Sequence, residues 1–275
     1  MKKIAVIGDV HGRTNWKQID FSHYDEVIFM GDYFDPYAYN ISSEEVYNNF
    51  REILELKKSD PKKFVLLFGN HDLHYLVAER GGRERYSRFD YNLVVQYHVG
   101  DRLQKALEDG LIEAAYCEPN TDLFFIHATL SMRWYNFHVL GKPFSVSEEE
   151  GVSSVGPSES DRLTVVAKIN NLLLDKPEAF YFDGPGWDVY GYTNTQGPLW
   201  WRCMNEWGSG LQEEYILRGI YQICGHTQVP DLDLNVCESG AKVAFVDLLG
   251  SDRYTEITIN DNNEYFFEEK KITFE

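Results

Sequence analysis

Short apolar runs recur along the chain, each ending in glycine or a polar cluster: Lys3 to Gly8, Glu26 to Gly31, Phe64 to Gly69, Asp122 to His127 and Ile220 to Gly225. Their length and their Val, Ile and Phe content predict buried strands rather than helices. The intervening segments follow helical spacing. Ser42 and Glu45 have capping-box spacing, and Val46, Phe50, Ile53 and Leu54 mark one face of the helix expected to follow. Further helices are predicted over about Tyr91 to Leu107 and about Ser160 to Leu174. This alternation of strand and helix predicts an α/β architecture. After the last run the pattern changes to Lys242 to Leu248, Arg253 to Ile259 and Glu264 to Phe267, with a period of two clearest from Tyr254 to Ile259. Those segments read as antiparallel strands that extend or face the first sheet, so two mixed sheets are expected.

The stretch from about 132 to 205 interrupts the alternation and holds four of the six tryptophans, with Trp207 just beyond it. No internal repeat and no Gly/Ser-rich or Pro-rich linker separates it. The expected organisation is therefore a single domain over residues 1–275 carrying an aromatic-rich insertion or lid at about 132–205. Trp134, Tyr135, Trp187, Tyr190, Tyr192, Trp200 and Trp201 have two readings. They build the core of an added subdomain, or some line a groove and stack on a nucleobase or an aromatic leaving group. The run Glu148 to Glu150 reads as a solvated loop.

Composition narrows the function classes. With 43% apolar and 15% aromatic residues in 275, the chain can bury a large core, which excludes disorder and low-complexity scaffolds. Its 44 acids against 26 bases give a formal charge of −18, and no Lys/Arg stripe is present. General nucleic-acid binding, which needs a basic face, is not expected. Phosphate chemistry would have to rely on local positive charge, and a bound metal is the natural source. The apolar run Ile4 to Ile7 is too short for a signal h-region, and no segment reaches the eighteen apolar residues of a spanning helix, so no membrane association and a cytoplasmic location are expected. Cys117, Cys203, Cys224 and Cys237 show no CxxC spacing and read as reduced thiols, mostly in the core.

The residues that end the apolar runs carry the chemistry. They are Gly8-Asp9-Val10-His11-Gly12, Gly31-Asp32-Tyr33-Phe34-Asp35, Gly69-Asn70-His71-Asp72, His127-Ala128 and Gly225-His226-Thr227, all read as lying at the C-terminal ends of strands. Ligand sites of open α/β sheets collect there, because rigid strand ends hold loops that are free to carry polar groups. Asp, His and Asn together offer mixed oxygen and nitrogen donors, which suits Mn, Fe, Zn, Ni or Co better than calcium. His23, His74, His98 and His138 stand outside these motifs and read as solvent-facing or core residues.

This ordered series, GDxHG, GDxxD, GNHD, His and GHT between Gly8 and Thr227, resembles the calcineurin-like metallophosphoesterases. Within them it is most similar to the branch of phosphoprotein phosphatases and symmetrical dinucleoside tetraphosphate hydrolases. The resemblance implies an α/β fold of two mixed sheets packed as a sandwich flanked by helices, in four layers. It also implies two divalent or trivalent metal ions. Asp9 and His11 would bind one, Asp32 would bridge both, and Asn70, His127 and His226 would complete the second site. His71 would be a general acid and Asp35 its orienting partner. The expected reaction is hydrolysis of phosphate monoesters by metal-activated water, with a phosphorylated small molecule, nucleotide or phosphoprotein as substrate. A dinucleoside polyphosphate hydrolase is the runner-up, and a catalytically silent protein-binding module is the alternative of another class.

Three departures bear on the branch. The phosphatases usually continue GDxxDRG, but here Asp35-Pro36-Tyr37 lacks the arginine, and His127-Ala128 lacks the usual glycine. Gln228 follows Thr227 where diesterase-like relatives carry a second histidine. The segment Gly197-Pro198-Leu199-Trp200-Trp201-Arg202 is similar to one that supplies a phosphate-clamping arginine in bacterial-type members. Arg202 is the first candidate for that role, and Arg13 and Arg133 are further ones.

Overall fold

The computed structural model describes residues 1–37, 40–76, 90–142, 157–158, 161–181, 188, 190–205 and 210–274. In chain order its main elements are β1 (Lys2–Ile7), β2 (Glu26–Phe29), α1 (Ser43–Ser59), β3 (Phe64–Leu66), α2 (Asn70–Leu76), α3 (Tyr91–Val95), α4 (Val99–Glu108), β4 (Ala115–Cys117), β5 (Leu123–Ile126), α5 (Met132–Trp134), α6 (Arg162–Asp175), β6 (Tyr221–Gln228), β7 (Asp233–Val236), β8 (Lys242–Asp247), β9 (Arg253–Ile259) and β10 (Tyr265–Lys271). The chain forms two compact units. One comprises Met1–Glu113, Gln228–Leu232 and Val246–Glu275, and the other Ala114–Thr227 and Asp233–Phe245. The fold class is α/β with two mixed five-stranded sheets and helices, as expected.

In the first unit the strand order is β10-β9-β1-β2-β3. β1, β2 and β3 are parallel, with Ile4 opposite Glu26 and Val27 opposite Phe64. Ile4 to Ile7 and Val27 to Phe29 are fully buried, which explains why these strands read as unbroken apolar runs. β9 pairs antiparallel with β1, and β10 pairs antiparallel with β9, so both extend this sheet. At the edge, β10 carries Glu268, Glu269, Lys270 and Lys271, charges that discourage pairing with another chain.

The capping box of α1 is formed. The backbone N–H of Glu45 donates to Ser42 Oγ at 3.3 Å, and the backbone N–H of Ser42 donates to Glu45 Oε2 at 2.8 Å. The helix expected over Tyr91 to Leu107 is two helices. His98 adopts a left-handed conformation (φ 50°) between α3 and α4, which interrupts the right-handed helical path there. At Gly100 a Cβ would lie 2.7 Å from the Tyr75 carbonyl, so glycine lets α4 approach α2 closely.

In the second unit the sheet order is β4-β5-β6-β8-β7, with β6 and β8 ending in residues that count with the first unit. β5 and β6 are parallel, and Leu123 to Ile126 are fully buried. β8, expected to extend or face the first sheet, pairs antiparallel with β7 here. The short strand β4 is secured by α6. The Asn170 carboxamide oxygen accepts from the backbone N–H groups of Ala114 and Ala115, both at 2.9 Å. Trp134, Tyr135 and Trp201 are buried in this unit's core, whereas Tyr190 is exposed. Trp187, Trp207, the Glu148 to Glu150 run and much of the expected insertion lie outside the described residues. Cys117, Cys203 and Cys224 are buried, Cys237 is half-buried, and all four are free thiols. Among the described residues no helix is long and apolar enough to cross a membrane.

Candidate metal centre

Three loops of the first unit meet at the C-terminal ends of β1, β2 and β3. The backbone N–H groups of Val10, His11 and Gly12 donate to the carbonyls of Gly31, Asp32 and Tyr33 at 3.2, 2.6 and 3.1 Å. Glycine permits the third loop to join them. A Cβ on Gly31 would lie 2.6 Å from the Gly69 nitrogen, and one on Gly69 would collide with the backbone and carboxylate of Asp32. Asp72 ties the loops together. Its fully buried carboxylate accepts from the backbone N–H groups of Asp32 (2.9 Å), Tyr33 (2.8 Å) and Gly69 (2.8 Å). His11, Asp32 and Asp35 all have positive φ, at 45°, 53° and 57°, a conformation that non-glycine residues keep only where their surroundings enforce it.

These loops bring the predicted side chains together. The ligand atoms of His11, Asp32 and His71 all lie within 4.8 Å of one another. His11 Nε2 is 3.5 Å from Asp32 Oδ2, and its Nδ1 lies 2.9 Å from the Phe34 carbonyl. A carbonyl only accepts, so Nδ1 carries the proton and Nε2 keeps its lone pair. Burial depresses the His11 pKa to about 3 despite the nearby Asp32 charge, leaving the ring neutral as a ligand must be. Asp9 and Asn70 are buried, Asp9 with its backbone N–H on Asp247 Oδ1 at 3.2 Å and Asn70 as the first residue of α2. Arg13 donates from Nη1 to the Asp9 carbonyl at 3.0 Å, and its charge adds to the depression of His11.

His71 sits beside this group. Its backbone N–H donates to Asp32 Oδ1 at 2.8 Å, and its ring Nδ1 lies 2.8 Å from Asp35 Oδ2. Burial works against the imidazolium, but the charge of Asp32 and the hydrogen bond and charge of Asp35 outweigh it, and the His71 pKa is raised. For Asp35, burial pushes the pKa up, while hydrogen bonds from His71 and Tyr75 together with the His71 charge carry it below the usual carboxylate range.

In the second unit, His127 directly follows β5 and His226 lies within β6. β6 therefore runs past the residue expected at its end, because the strand continues to Gln228. The parallel register of Ile126 with Cys224 sets the two imidazoles side by side, with ring centroids 5.2 Å apart. His226 also has positive φ (58°), and its Nε2 lies 3.1 Å from the Trp200 carbonyl. The loop after β5 is fastened to the Gly197 to Arg202 segment by Ala128 N–H on the Pro198 carbonyl (2.8 Å) and Thr129 N–H on that of Trp201 (3.2 Å). Arg202 donates to the carbonyls of Tyr190 (2.8 Å) and His226 (3.4 Å), which fixes its guanidinium beside His226. Arg133 donates to Asn194 Oδ1 at 3.0 Å and lies over the Tyr215 ring.

In the first unit, buried carboxylates, a buried amide and the neutral His11 imidazole are donors suited to borderline divalent cations. Two residues that shape the site escaped the sequence reading. Asp72 belongs to the GNHD motif but carried no role, and its acidic type just inside a helix start was the available signal. Tyr75 had only its spacing from His71, one helical turn earlier. A search of curated proteins gave no match. The family model described as calcineurin-like phosphoesterase matches residues 2–230, most of the chain. On that match this protein belongs to the calcineurin-like phosphoesterases, a family of metal-dependent phosphoesterases.

Proposed function

We propose that the chain is a dinuclear-metal hydrolase of phosphate monoesters, related in activity to the phosphoprotein phosphatases and acting in the cytoplasm. The observation that carries this reading is the His71–Asp35 pair, hydrogen-bonded at 2.8 Å, next to the His11 and Asp32 donors. A silent binding module would have no use for a histidine held ready by a buried carboxylate. The ligands that the family resemblance assigns are Asp9, His11, Asp32, Asn70, His127 and His226. Bound divalent ions would supply positive charge to the phosphoryl oxygens and acidify a water molecule.

The remaining steps belong to side chains. Asp35 accepts from Nδ1 of His71, so the transferable proton sits on Nε2 and is delivered to the departing alkoxide. General acid catalysis of this kind contributes roughly a hundred- to ten-thousandfold. Asp32 keeps its position because Oδ1 accepts the His71 backbone N–H and its own N–H is held by Asp72. Arg202 is assigned the grip on phosphate, since a planar fork of donors matches its oxygens. Arg13 and Arg133 are secondary candidates.

The test is turnover of para-nitrophenyl phosphate by protein loaded with Mn, Fe, Ni, Co or Zn. Activity with at least one metal, lost on chelation, is expected; silence with all five rejects the hydrolase. A panel of phosphopeptides, nucleotides and diadenosine tetraphosphate then assigns the substrate class. Fastest cleavage of the anhydride would replace the monoesterase reading with a dinucleoside polyphosphate hydrolase.

A further inference from the structure

We propose that Tyr75 is a positioning residue for the acid: its hydroxyl fixes Asp35, and through Asp35 the His71 ring, in the orientation from which the proton is delivered. This rests on the reading of His71 as general acid. His71 and Tyr75 are four residues apart on α2 and so project from the same helix face. The Asp35 carboxylate is held between them, Oδ2 at 2.8 Å from His71 Nδ1 and Oδ1 at 2.5 Å from the Tyr75 hydroxyl. Asp35 is fully buried with a φ of 57°, so both oxygens depend on protein partners for hydrogen bonds.

The direction of the Tyr75 proton follows from its neighbours. The backbone N–H of Asp90 donates to the hydroxyl oxygen at 3.0 Å. An amide N–H cannot accept and an ionised carboxylate cannot donate, so the phenolic proton points to Asp35. The ring itself has little freedom. It is 1% exposed, packs on Phe34 with centroids 4.9 Å apart, and lies in a helix that Gly100 of α4 approaches closely. Donation thus converges on Asp35: Asp90 N–H donates to the Tyr75 hydroxyl, that hydroxyl donates to Asp35 Oδ1, and His71 Nδ1–H donates to Asp35 Oδ2, which leaves Nε2 of His71 as the other ring nitrogen, free to face the leaving group. A buried tyrosine hydroxyl is easily satisfied by a backbone carbonyl. Using the carboxylate that orients the acid couples the phenol to that ring.

The experiment compares wild type, Tyr75→Phe, His71→Asn and the double variant. Two readouts are used: proton–nitrogen NMR of the His71 ring in the metal-free chain, and kcat of the metal-loaded chain on para-nitrophenyl phosphate and on an alkyl phosphate. With the spectra recorded at a pH where the His71 ring is neutral, Tyr75→Phe is expected to turn a single Nδ1–H tautomer into a mixture. It should lower kcat about tenfold on the alkyl ester, within the range for losing an outer hydrogen-bond partner, and less than twofold on the nitrophenyl ester. It should add nothing once His71 is Asn. An unchanged His71 spectrum, equal losses on both esters, or full additivity with His71→Asn overturns the proposal. If wild type hydrolyses neither ester but the tautomer still shifts, Tyr75 keeps its placement of His71 and the phosphoesterase reading fails instead. Should Tyr75→Phe not fold, a fluorotyrosine at position 75 keeps the hydroxyl with a more acidic proton. It is expected to move the His71 Nδ1 proton resonance, and an unmoved resonance rejects the proposal.

Discussion

The two units offer donors of different chemical kinds, and the difference follows from what their loops can hold. In the first, three parallel strands end in loops rich in backbone N–H groups, and its carboxylates use them: Asp72 takes three and Asp32 one. In the second, two parallel strands present imidazoles, with His226 facing the Trp200 carbonyl. A carboxylate buried without N–H donors is costly, whereas a neutral imidazole needs only one carbonyl to fix its tautomer. On the proposed reading the first unit supplies charge and proton transfer, and the second supplies imidazole nitrogen donors. What they share is strain, since His11, Asp32, Asp35 and His226 are all held at positive φ.

The sharpest way to break this contrast is to remove a proposed ligand from each unit in turn. Asp32→Asn keeps the shape of the side chain but removes its charge, and is expected to lower kcat about a thousandfold, the upper end for loss of one electrostatic contact to a transition state. His127→Gln, which removes no charge, should cost roughly tenfold to a hundredfold and recover in part at high metal concentration. Equal losses in steady-state kinetics would mean that charge does not distinguish the units.

Stability offers the next comparison. Asp72→Ala leaves three buried backbone donors without their acceptor, at about 1–3 kcal/mol each, so urea unfolding should show a loss of about 3 kcal/mol or more. Gln222 is its counterpart in the second unit. It accepts from Leu130 N–H at 2.7 Å and donates to the Leu130 and Leu217 carbonyls, both at 3.1 Å. Gln222→Ala should cost less, about 1–3 kcal/mol, because the carbonyls keep other lone pairs and no charge is lost. A larger loss for Gln222→Ala would place the more demanding hydrogen-bond network in the second unit.

His71→Asn tests the proton-transfer half of the contrast. It is expected to lower turnover about a hundredfold on alkyl phosphates and much less on para-nitrophenyl phosphate, whose leaving group needs no proton. Equal reduction on both esters would leave the first unit with ligands but no acid.

Much of this division was legible in the chain because its cause is local. β1, β2, β3, β5 and β6 lie in parallel pairings, so each reads as an apolar run, and the donors come within a few residues of where the run stops. Elements without that signature were missed. β4 has three residues, too few to show a period, and β7 alternates Asp233-Leu234-Asn235-Val236 with its apolar positions exposed at the sheet edge. The break at His98 is not marked by glycine or proline, so periodicity carried the predicted helix straight through it. Asp72 and Tyr75 act through hydrogen bonds to residues about forty positions away, and no local pattern encodes those partners.

The smallest expected effect concerns Arg202, which the second unit holds beside His226. Arg202 spends two donor contacts on backbone carbonyls, Tyr190 at 2.8 Å and His226 at 3.4 Å, so its guanidinium is positioned before any ligand arrives. A group held this way loses little side-chain freedom on binding, and its planar fork can still meet phosphate oxygens. Arg202→Ala should therefore weaken inhibition by inorganic phosphate about tenfold, some 1.4 kcal/mol. Arg202→Lys should recover little of it, because a point charge lacks the fork and cannot reach both carbonyls at once. The inhibition constants of the two variants decide the matter. If lysine restores phosphate binding, charge alone suffices, and the second unit contributes an electrostatic field rather than a shaped anion clamp.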